Sequence, residues 1–368
     1  MSQKSDDAVQ GILTGAAWNE FCDRLKAAGE LILSSGAARS ELQTAEGYRY
    51  LTRLLRMGLE MVLEHGDPLA PELFYQNPTL KSGGDNPDNF YYWGRIRGAH
   101  DYRITGVLRA CEFLTIDAYA GGLNKEGGRR TVGHLGKADL KANPDGRFSV
   151  VLSQRPRQDG ENSVWLPITE DTGTVLIRET VADRAKAPGS SFTIERLDRD
   201  GPPPPLDAAR LTKALRSVSG FVTYSASFFS GMAEKWAGRP NQFFGTDTDA
   251  VGSTFGNEDL QYLSCYFRIP PGQALLVEFT RPGDAFWSLV LHNHWFESLD
   301  YLHRRIHSNA RQYGAADDGM VRLALADRDP QLAGHLWLDT EGHAEGIAVL
   351  RVVEGPPQAL PATRLVAL

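Results

Sequence analysis

The 368-residue sequence is poor in cysteine: it has three, Cys22, Cys111 and Cys265, odd in number and widely spaced. This pattern indicates neither a disulfide framework nor a zinc knuckle. The sequence also lacks any apolar run approaching the roughly 20 residues that cross a bilayer. Its first residues lack the charged and then apolar pattern of a signal peptide. We therefore expect a cytoplasmic protein that has no membrane partner.

Basic residues are not in excess, since 39 Lys and Arg face 46 Asp and Glu, which gives a net charge of −7. Nucleic acid is therefore not an expected partner. The sequence has no GxSxG elbow, no P-loop, no GxGxxG that opens a helix and no HExxH. Serine-hydrolase and nucleotide chemistry consequently lose their support. We expect a small-molecule substrate and no organic cofactor, and homo-oligomerisation stays open.

The first 70 residues predict a helical subdomain. Apolar residues recur at spacings of three and four over 17–33 and again over 45–63, as on one face of an amphipathic helix. Thr44 is expected to cap the second helix. From 71 to 200 the sequence changes to short β-branched and aromatic segments separated by turn residues, which is typical of antiparallel strands in a first β-sandwich region. The expected strands are 102–108, 112–119, 148–153, 174–180 and 191–197.

Four prolines follow Gly201 and predict an extended spacer at the start of region 201–260, because proline supplies no ladder donor. Asp207 is expected to cap a helical insert that continues to Trp236. Residues 261–368 return to the β pattern, and a helix is expected at about 296–313. No internal repeat is visible. The expected strands are 261–269, 274–280, 286–292, 321–326 and 347–353.

Together these elements predict an α+β fold that is mainly β. The expected architecture is a jelly-roll-like antiparallel β-sandwich with an N-terminal helical subdomain and a helical insert.

Several segments resemble one family of bacterial proteins. The segments are AEGYRYLTRLLR (45–56), DNPDNFYYWGRIRGAHDYRITG (85–106), TVLIRETVADR (174–184), LHNHWFESLDY (291–301) and LADRDP with LWLDTEGHAEG (within 325–346). They are similar to proteins with the uncharacterised domain DUF1214, often found with DUF1254. The resemblance implies a β-sandwich with added helices. It implies no activity and no residue role, so the candidate residues rest on side-chain chemistry alone.

Histidines and carboxylates concentrate in residues 285–351, where six of the nine histidines lie. Both groups are the usual material of proton-transfer and metal sites. His292 and His294 are expected on one face of a strand, where they bind a divalent metal, take part in acid–base chemistry or are hydrogen-bonded in an aromatic core. Asp339 and His343 are expected to meet across a tight turn. His343 is then a general base oriented by Asp339, or Asp339 only closes the turn.

A second group of candidates mixes aromatic and basic residues, mainly in segment 90–104. Such a mixture stacks an aromatic ring and clamps an anionic group, or forms a sandwich edge whose arginines cover apolar surface. Tyr102 is the expected acid or hydrogen-bond donor. Arg304 anchors a substrate carboxylate, or forms a solvated ion pair with Asp300 on a helix. The candidate substrate-binding residues are Tyr92, Arg95, Arg97, Arg103, Trp295 and Arg304.

These constellations predict a small-molecule enzyme that works by general acid–base catalysis. A lyase or isomerase on an aromatic or carboxylated substrate suits the combination of side chains. Loss of a small carbonyl fragment such as formaldehyde from a phenolic compound is one concrete form. The alternatives are a metal-dependent oxygenase or hydrolase and a non-catalytic ligand-binding or envelope protein. The candidate catalytic residues are His343, Asp339, His292, His294 and Tyr102.

Overall fold

The structure is a computed structural model that describes residues 3–36, 40–122, 128–156, 163–198, 201–246, 256–257, 259–314 and 318–368. The described chain forms two β-sandwiches, within 73–196 and 244–367, with helices packed against them. This confirms the mainly β, α+β fold that the sequence predicts.

The helices lie before the first sandwich and between the two. They are α1 (Gln3–Leu13), α2 (Ala16–Ser34), α3 (Glu41–Leu59) and α4 (Ala208–Ala237), with a π-helical turn at Glu60–Glu64 and a 3-10 turn at Lys137–Leu140. Helix α4 confirms the insert, and its N-cap is Asp207 as expected. The N-cap of α3 is Ser40, whose hydroxyl accepts from the Gln43 amide, whereas Thr44 lies inside the helix and bonds back to the Ser40 carbonyl. No helix of the described chain combines the length and apolar character needed to span a membrane.

The first sandwich contains nine strands. They are β1 (Leu73–Gln76), β2 (Asn89–Arg95), β3 (Tyr102–Val107), β4 (Phe113–Gly121), β5 (Arg129–Gly136), β6 (Arg147–Ser153), β7 (Ser163–Pro167), β8 (Thr172–Thr180) and β9 (Ser191–Arg196). Sheet A has the order β1-β2-β8-β4-β5, and sheet B has the order β7-β6-β3-β9. Strands β6 and β7 are parallel. Apolar side chains from both sheets, such as Ile104 and Ile177, fill the core between them.

The second sandwich also contains nine strands. They are β10 (Phe244–Gly245), β11 (Leu260–Arg268), β12 (Gln273–Thr280), β13 (Trp287–His292), β14 (His307–Asn309), β15 (Met320–Ala326), β16 (Leu336–Asp339), β17 (Glu345–Val353) and β18 (Ala362–Ala367). Sheet C has the order β10-β11-β17-β13-β14, and sheet D has the order β16-β15-β12-β18. Leu289 and Leu323 are typical of the core between them. The sandwich begins before residue 261, within the region expected to hold only spacer and insert.

The two sandwiches have the same topology, strand for strand. Adding nine to each strand number converts sheet A into sheet C and sheet B into sheet D, and the parallel pair recurs as β15 with β16. We call residues 73–196 the first repeat and residues 244–367 the second repeat. The sequence analysis missed this duplication because the halves share strand order and register rather than a run of identical residues.

All ten strands expected from the sequence are present within two residues of their predicted ends. The helix expected at 296–313 is wrong. The chain turns at Phe296, whose φ of 60° is left-handed and interrupts a right-handed helix, and His307–Asn309 pairs with β13 as β14. Leu299 and Ile306 are buried without a helix, so their apolar spacing misled the prediction.

Gly47 marks the closest approach of α3 to the second repeat. A Cβ here would lie 2.6 Å from Ile32 Cγ2 and 2.6 Å from Trp295 Cζ2. We expect Gly47→Ala to lower the free energy of unfolding by about 1–3 kcal/mol, because overpacking forces buried groups to shift. Denaturant unfolding measures the change. Gly29→Ala in α2 is the control, since its Cβ would be 3.9 Å from the nearest atom. The control should raise stability by up to about 1 kcal/mol, and an equal loss in both variants would contradict the prediction.

Candidate functional site

A cavity of about 200 Å³ lies between the two repeats, where sheet A faces sheet C. Strands β2 and β8 supply one wall, β11 and β17 supply another, and α3 and α4 complete the lining. Successive residues of a strand face opposite sides of a sheet. The residues at the cavity therefore point away from their own sandwich cores, and both repeats are needed to build it.

Most of the lining is apolar, and much of it comes from α4. This helix contributes five large apolar side chains: Phe221, Phe228, Phe229, Met232 and Trp236. The rings of Phe229 and Trp236 pack against Phe296 at centroid distances of 5.9 and 5.7 Å. Ser225 of the same helix lines the cavity, and its buried hydroxyl has no hydrogen-bond partner among the described residues. The wall suits a ring-containing apolar compound.

Each repeat contributes the same row of polar residues across three neighbouring strands of its five-stranded sheet. The row consists of a tyrosine, an arginine opposite it and a serine or threonine opposite the arginine. The first row is Tyr91, Arg178 and Thr115, and the second row is Tyr262, Arg351 and Ser288. Both tyrosines and both arginines line the cavity. The duplication thus places two guanidinium groups and two phenols around one apolar space.

The two arginines differ in their partners. Arg178 Nη1 donates to Asp117 Oδ2 at 2.6 Å and to the Tyr119 hydroxyl at 3.0 Å. Arg351 Nη2 donates to the Gly84 carbonyl, but its Nη1 has no hydrogen-bond partner in the described structure, although the residue is only 6% exposed. Burying a charged group without partners is costly. Arg351 therefore has unused donor capacity at the cavity.

The two tyrosines are held in the same way. The Tyr91 hydroxyl accepts from the Asn86 backbone amide at 3.2 Å, and the Tyr262 hydroxyl accepts from the Asn257 backbone amide at 3.0 Å. Burial raises the pKa of Tyr91, although the charge of Arg351 acts in the opposite direction. The Tyr91 phenol is therefore protonated at neutral pH and has its own O–H to donate.

His292 and His294 do not share a face, so that expectation is wrong. Strand β13 ends at His292, and the chain turns directly after it. His292 Nε2 lies 3.1 Å from the Asp85 carbonyl oxygen, whereas His294 Nδ1 lies 2.8 Å from the Tyr266 hydroxyl. Burial, assisted by the positive charge of Arg351, lowers the pKa of His292 to about 3. Within the described residues no group of three His, Cys, Asp or Glu side chains is arranged to hold a metal ion.

His343 is not oriented by Asp339, contrary to the expected pairing. Its Nε2 lies 2.8 Å from Glu46 Oε2 of α3, and its Nδ1 lies 2.8 Å from the Thr340 carbonyl oxygen. Asp339 accepts from the Glu341 amide and so closes the turn. Burial lowers the pKa of His343, but the hydrogen bond and charge of Glu46 outweigh it and raise this pKa above 6.5. The pair joins α3 to the second repeat.

Tyr102 and its neighbours also have structural partners. The Tyr102 hydroxyl donates to the Pro68 carbonyl at 2.9 Å and accepts from the Arg97 amide at 3.0 Å, so its donor is occupied. Arg103 pairs with Glu195 at 3.0 Å on the surface. Strand β2 lies between β1 and β8, and β3 lies between β6 and β9, so the segment is not the sandwich edge that the alternative interpretation expected.

The remaining binding candidates lie outside the cavity as well. Arg304 pairs with Asp339 rather than with Asp300, because no helix forms there. Trp295 is buried against α3. The other contacts are Tyr92 with the Phe192 ring, Arg95 with Thr174 Oγ1 and Trp295 Nε1 with the Gln43 carbonyl. Within the described structure, none of the site residues expected from the sequence lines the cavity.

The sequence analysis missed the cavity residues, although one signal marks them. The motif Asn-x-Asp-x-x-Tyr occurs at 86–91 and again at 257–262. In both copies the side-chain oxygen of the asparagine accepts from the backbone amide of the aspartate, and the backbone amide of the asparagine donates to the tyrosine hydroxyl. The motif therefore sets the position of one cavity tyrosine in each repeat.

Comparison with known proteins agrees with this architecture. The model of the family described as protein of unknown function (DUF1214) matches residues 94–179 and 274–358, one segment in each repeat. The solved structure of an uncharacterized protein from Burkholderia cenocepacia is 34% identical, covers 98% of this chain and 99% of its own, and has a TM-score of 0.92. A protein from Vibrio parahaemolyticus is 11% identical with a TM-score of 0.50 over 88% of this chain and 98% of its own, and shares the fold alone. No curated protein matches the sequence.

The Glu46–His343 pair predicts a pH-dependent stability. The pKa of Glu46 is lowered from 4.5 and that of His343 is raised from 6.5, so the pair contributes fully between these values. As the pH rises through the folded pKa of His343, the contribution is lost. We expect Glu46→Gln to cost about 3 kcal/mol at about pH 6 and progressively less at higher pH. Denaturant unfolding of both proteins across this range measures the difference, and a difference that stays constant would contradict the assignment.

Proposed function

This chain belongs to the DUF1214 family, and from its cavity we propose that it binds a small compound with an apolar, ring-containing body and acts on it by acid–base catalysis. One observation carries the proposal: buried polar groups without protein partners among the described residues line an aromatic cavity. Apolar pockets with a few convergent polar groups are typical of small-molecule sites. The cavity has a volume of about 200 Å³, and the proposal includes no organic cofactor.

The proposed reaction class is a lyase or isomerase with an aromatic or carboxylated substrate. Tyr91 and Tyr262 are the proposed acids, because each hydroxyl accepts a hydrogen bond from a backbone amide and can donate its own proton to a ligand. They replace His343 and Asp339, whose side chains join α3 to the sandwich and close a turn. The metal-dependent alternative is not carried forward, because the imidazoles of His292 and His294 have different partners.

We also propose a cytoplasmic location. All three cysteines are free thiols in the structure, which is in keeping with a reducing compartment.

Ligand binding in the cavity is tested by filling it. Benzyl alcohol, benzamide, benzoate and phenylacetate are added separately, and we expect at least one to raise the Tm, because a ligand of the native state stabilises it. Ser225→Leu places a larger apolar side chain in the cavity and should abolish the shift. Ser227→Leu, at an exposed position of the same helix, is the matched control and should retain it. An undiminished shift in Ser225→Leu would place binding elsewhere.

Catalysis is tested on the compounds that bind. Mass spectrometry of the reaction mixture follows conversion, and Tyr262→Phe should reduce turnover by about 10²–10⁴-fold, because the variant lacks the proton donor but keeps the ring. Its ligand-induced Tm shift should remain. Tyr224→Phe on α4, outside the cavity lining, is the control and should keep full turnover. A Tm shift in the wild type without product from any compound would identify a binding protein.

A further inference from the structure

The two repeats differ in the counterion that they offer to their arginine, and we propose that the ligand is a monoanion whose carboxylate is the counterion of Arg351, a role that Asp117 has for Arg178. This inference rests on the proposed function, since it names the class of ligand held in the same cavity. It makes Arg351 the residue that binds the anionic group, and position 290 the place where the second repeat lacks the carboxylate of the first.

In the first repeat the arginine has an internal counterion. Arg178 lies opposite Thr115 of β4, and Asp117 follows two residues along on the same face of that strand. Its carboxylate accepts from Arg178 Nη1 at 2.6 Å, and both side chains are only 5% exposed. A carboxylate at this place therefore fits an arginine at this register.

In the second repeat the counterion is absent. Arg351 lies opposite Ser288 of β13 in the same register, and the residue two positions along is Val290. Val290 is buried and apolar. No carboxylate in the described part of the chain pairs with Arg351, and its Nη1 has no partner there. Strand β4 supplies this negative charge in the first repeat, and the equivalent strand β13 supplies none at this register in the second.

The ligand is the source that the geometry favours. Arg351 lines the cavity, with its guanidinium carbon 5.7 Å from the centroid of the Tyr262 ring. A guanidinium presents paired donors that match a carboxylate. Arg178 already has the Asp117 carboxylate as its partner. The Asp85 carboxylate, which also lines the cavity, is hydrogen-bonded to the backbone amide and the hydroxyl of Ser298, so Arg351 Nη1 is the cavity donor that we assign to one anionic group. With the apolar wall of α4, this describes an aromatic or arylalkyl monocarboxylate.

The test uses isosteric pairs that differ only in charge. Benzoate is compared with benzamide, phenylacetate with phenylacetamide, and 3-phenylpropionate with its amide, each titrated into the full chain by calorimetry. We expect the carboxylate to bind at least about tenfold more tightly than the amide in at least one pair, because the hydrogen bond gains an opposite charge. Equal affinity within every pair that binds would overturn the inference and leave the proposed function intact.

Variants at position 290 then assign the subsite. Val290→Asp gives Arg351 the counterion that Arg178 has, and should weaken carboxylate binding by about 10- to 100-fold without changing amide binding. Val290→Asn is the matched control, because asparagine has the shape of aspartate without its charge. Its affinity for the carboxylate should stay within about threefold of the wild-type value. Unchanged carboxylate binding in a folded Val290→Asp would overturn the assignment.

Arg351→Gln provides a second route that does not depend on the tolerance of position 290. This variant should bind the amide as the wild type does and lose the preference for the carboxylate. Circular dichroism verifies that it is folded. A carboxylate preference that persists in Arg351→Gln would also overturn the inference. If neither member of any pair binds the wild type, the proposed function fails first and this inference fails with it.

Discussion

Each repeat contains a five-stranded sheet that is buried on both faces, and the rest of the molecule is arranged to cover the face turned away from its own sandwich core. Along β4, β8, β13 and β17 almost every residue is buried. Sheets B and D cover one face of sheets A and C. The other face of sheet A and the other face of sheet C are covered by each other and by helices α3 and α4. Because exposure of so much apolar surface is unfavourable, the two sandwiches and the helices form one interdependent core.

Reciprocal polar contacts specify how the two repeats meet. Asp88 Oδ1 of the first repeat lies 3.2 Å from His307 Nε2 on β14. Asp259 Oδ2 of the second repeat lies 3.6 Å from His134 Nε2 on β5. Strands β5 and β14 are equivalent in the duplication, so each repeat offers the same aspartate to the same strand of the other. The Asp88–His307 contact is largely buried, and a buried polar group is unfavourable when unpaired, so this contact favours one arrangement of the sheets. The His134–Asp259 contact is partly exposed. The cavity is the part of this interface that side chains leave unfilled.

Duplication followed by divergence explains why the cavity is asymmetric. Both copies retain the tyrosine and arginine of the row, but the first copy neutralises its arginine with Asp117 while the second has Val290 at the equivalent place. The pair in the first copy joins β8 to β4, whereas Arg351 in the second copy has an unpaired donor, which we assign to a ligand. Helix α3 is held over the second repeat by Glu46 and His343. His343 of the histidine-rich region therefore helps to hold one wall of the cavity in place.

The sequence alone determined the local elements. Ten strands are predictable because short β-branched and aromatic segments alternate with turn residues, and the main helices because apolar residues recur at spacings of three and four. The failed helix at 296–313 shows the limit, since apolar spacing also arises in a turn-rich segment. The density of histidine and aspartate pointed to the wrong site, because an imidazole such as His343 is as useful in a buried structural pair as in catalysis. Tyr91 and Arg178 lie far apart in the chain and become neighbours only through strand pairing. The repeated Asn-x-Asp-x-x-Tyr motif is the trace of the duplication in the sequence. Only the tertiary structure decided the cavity and the unpaired Arg351, because they depend on which sheet faces meet, and no local pattern encodes that.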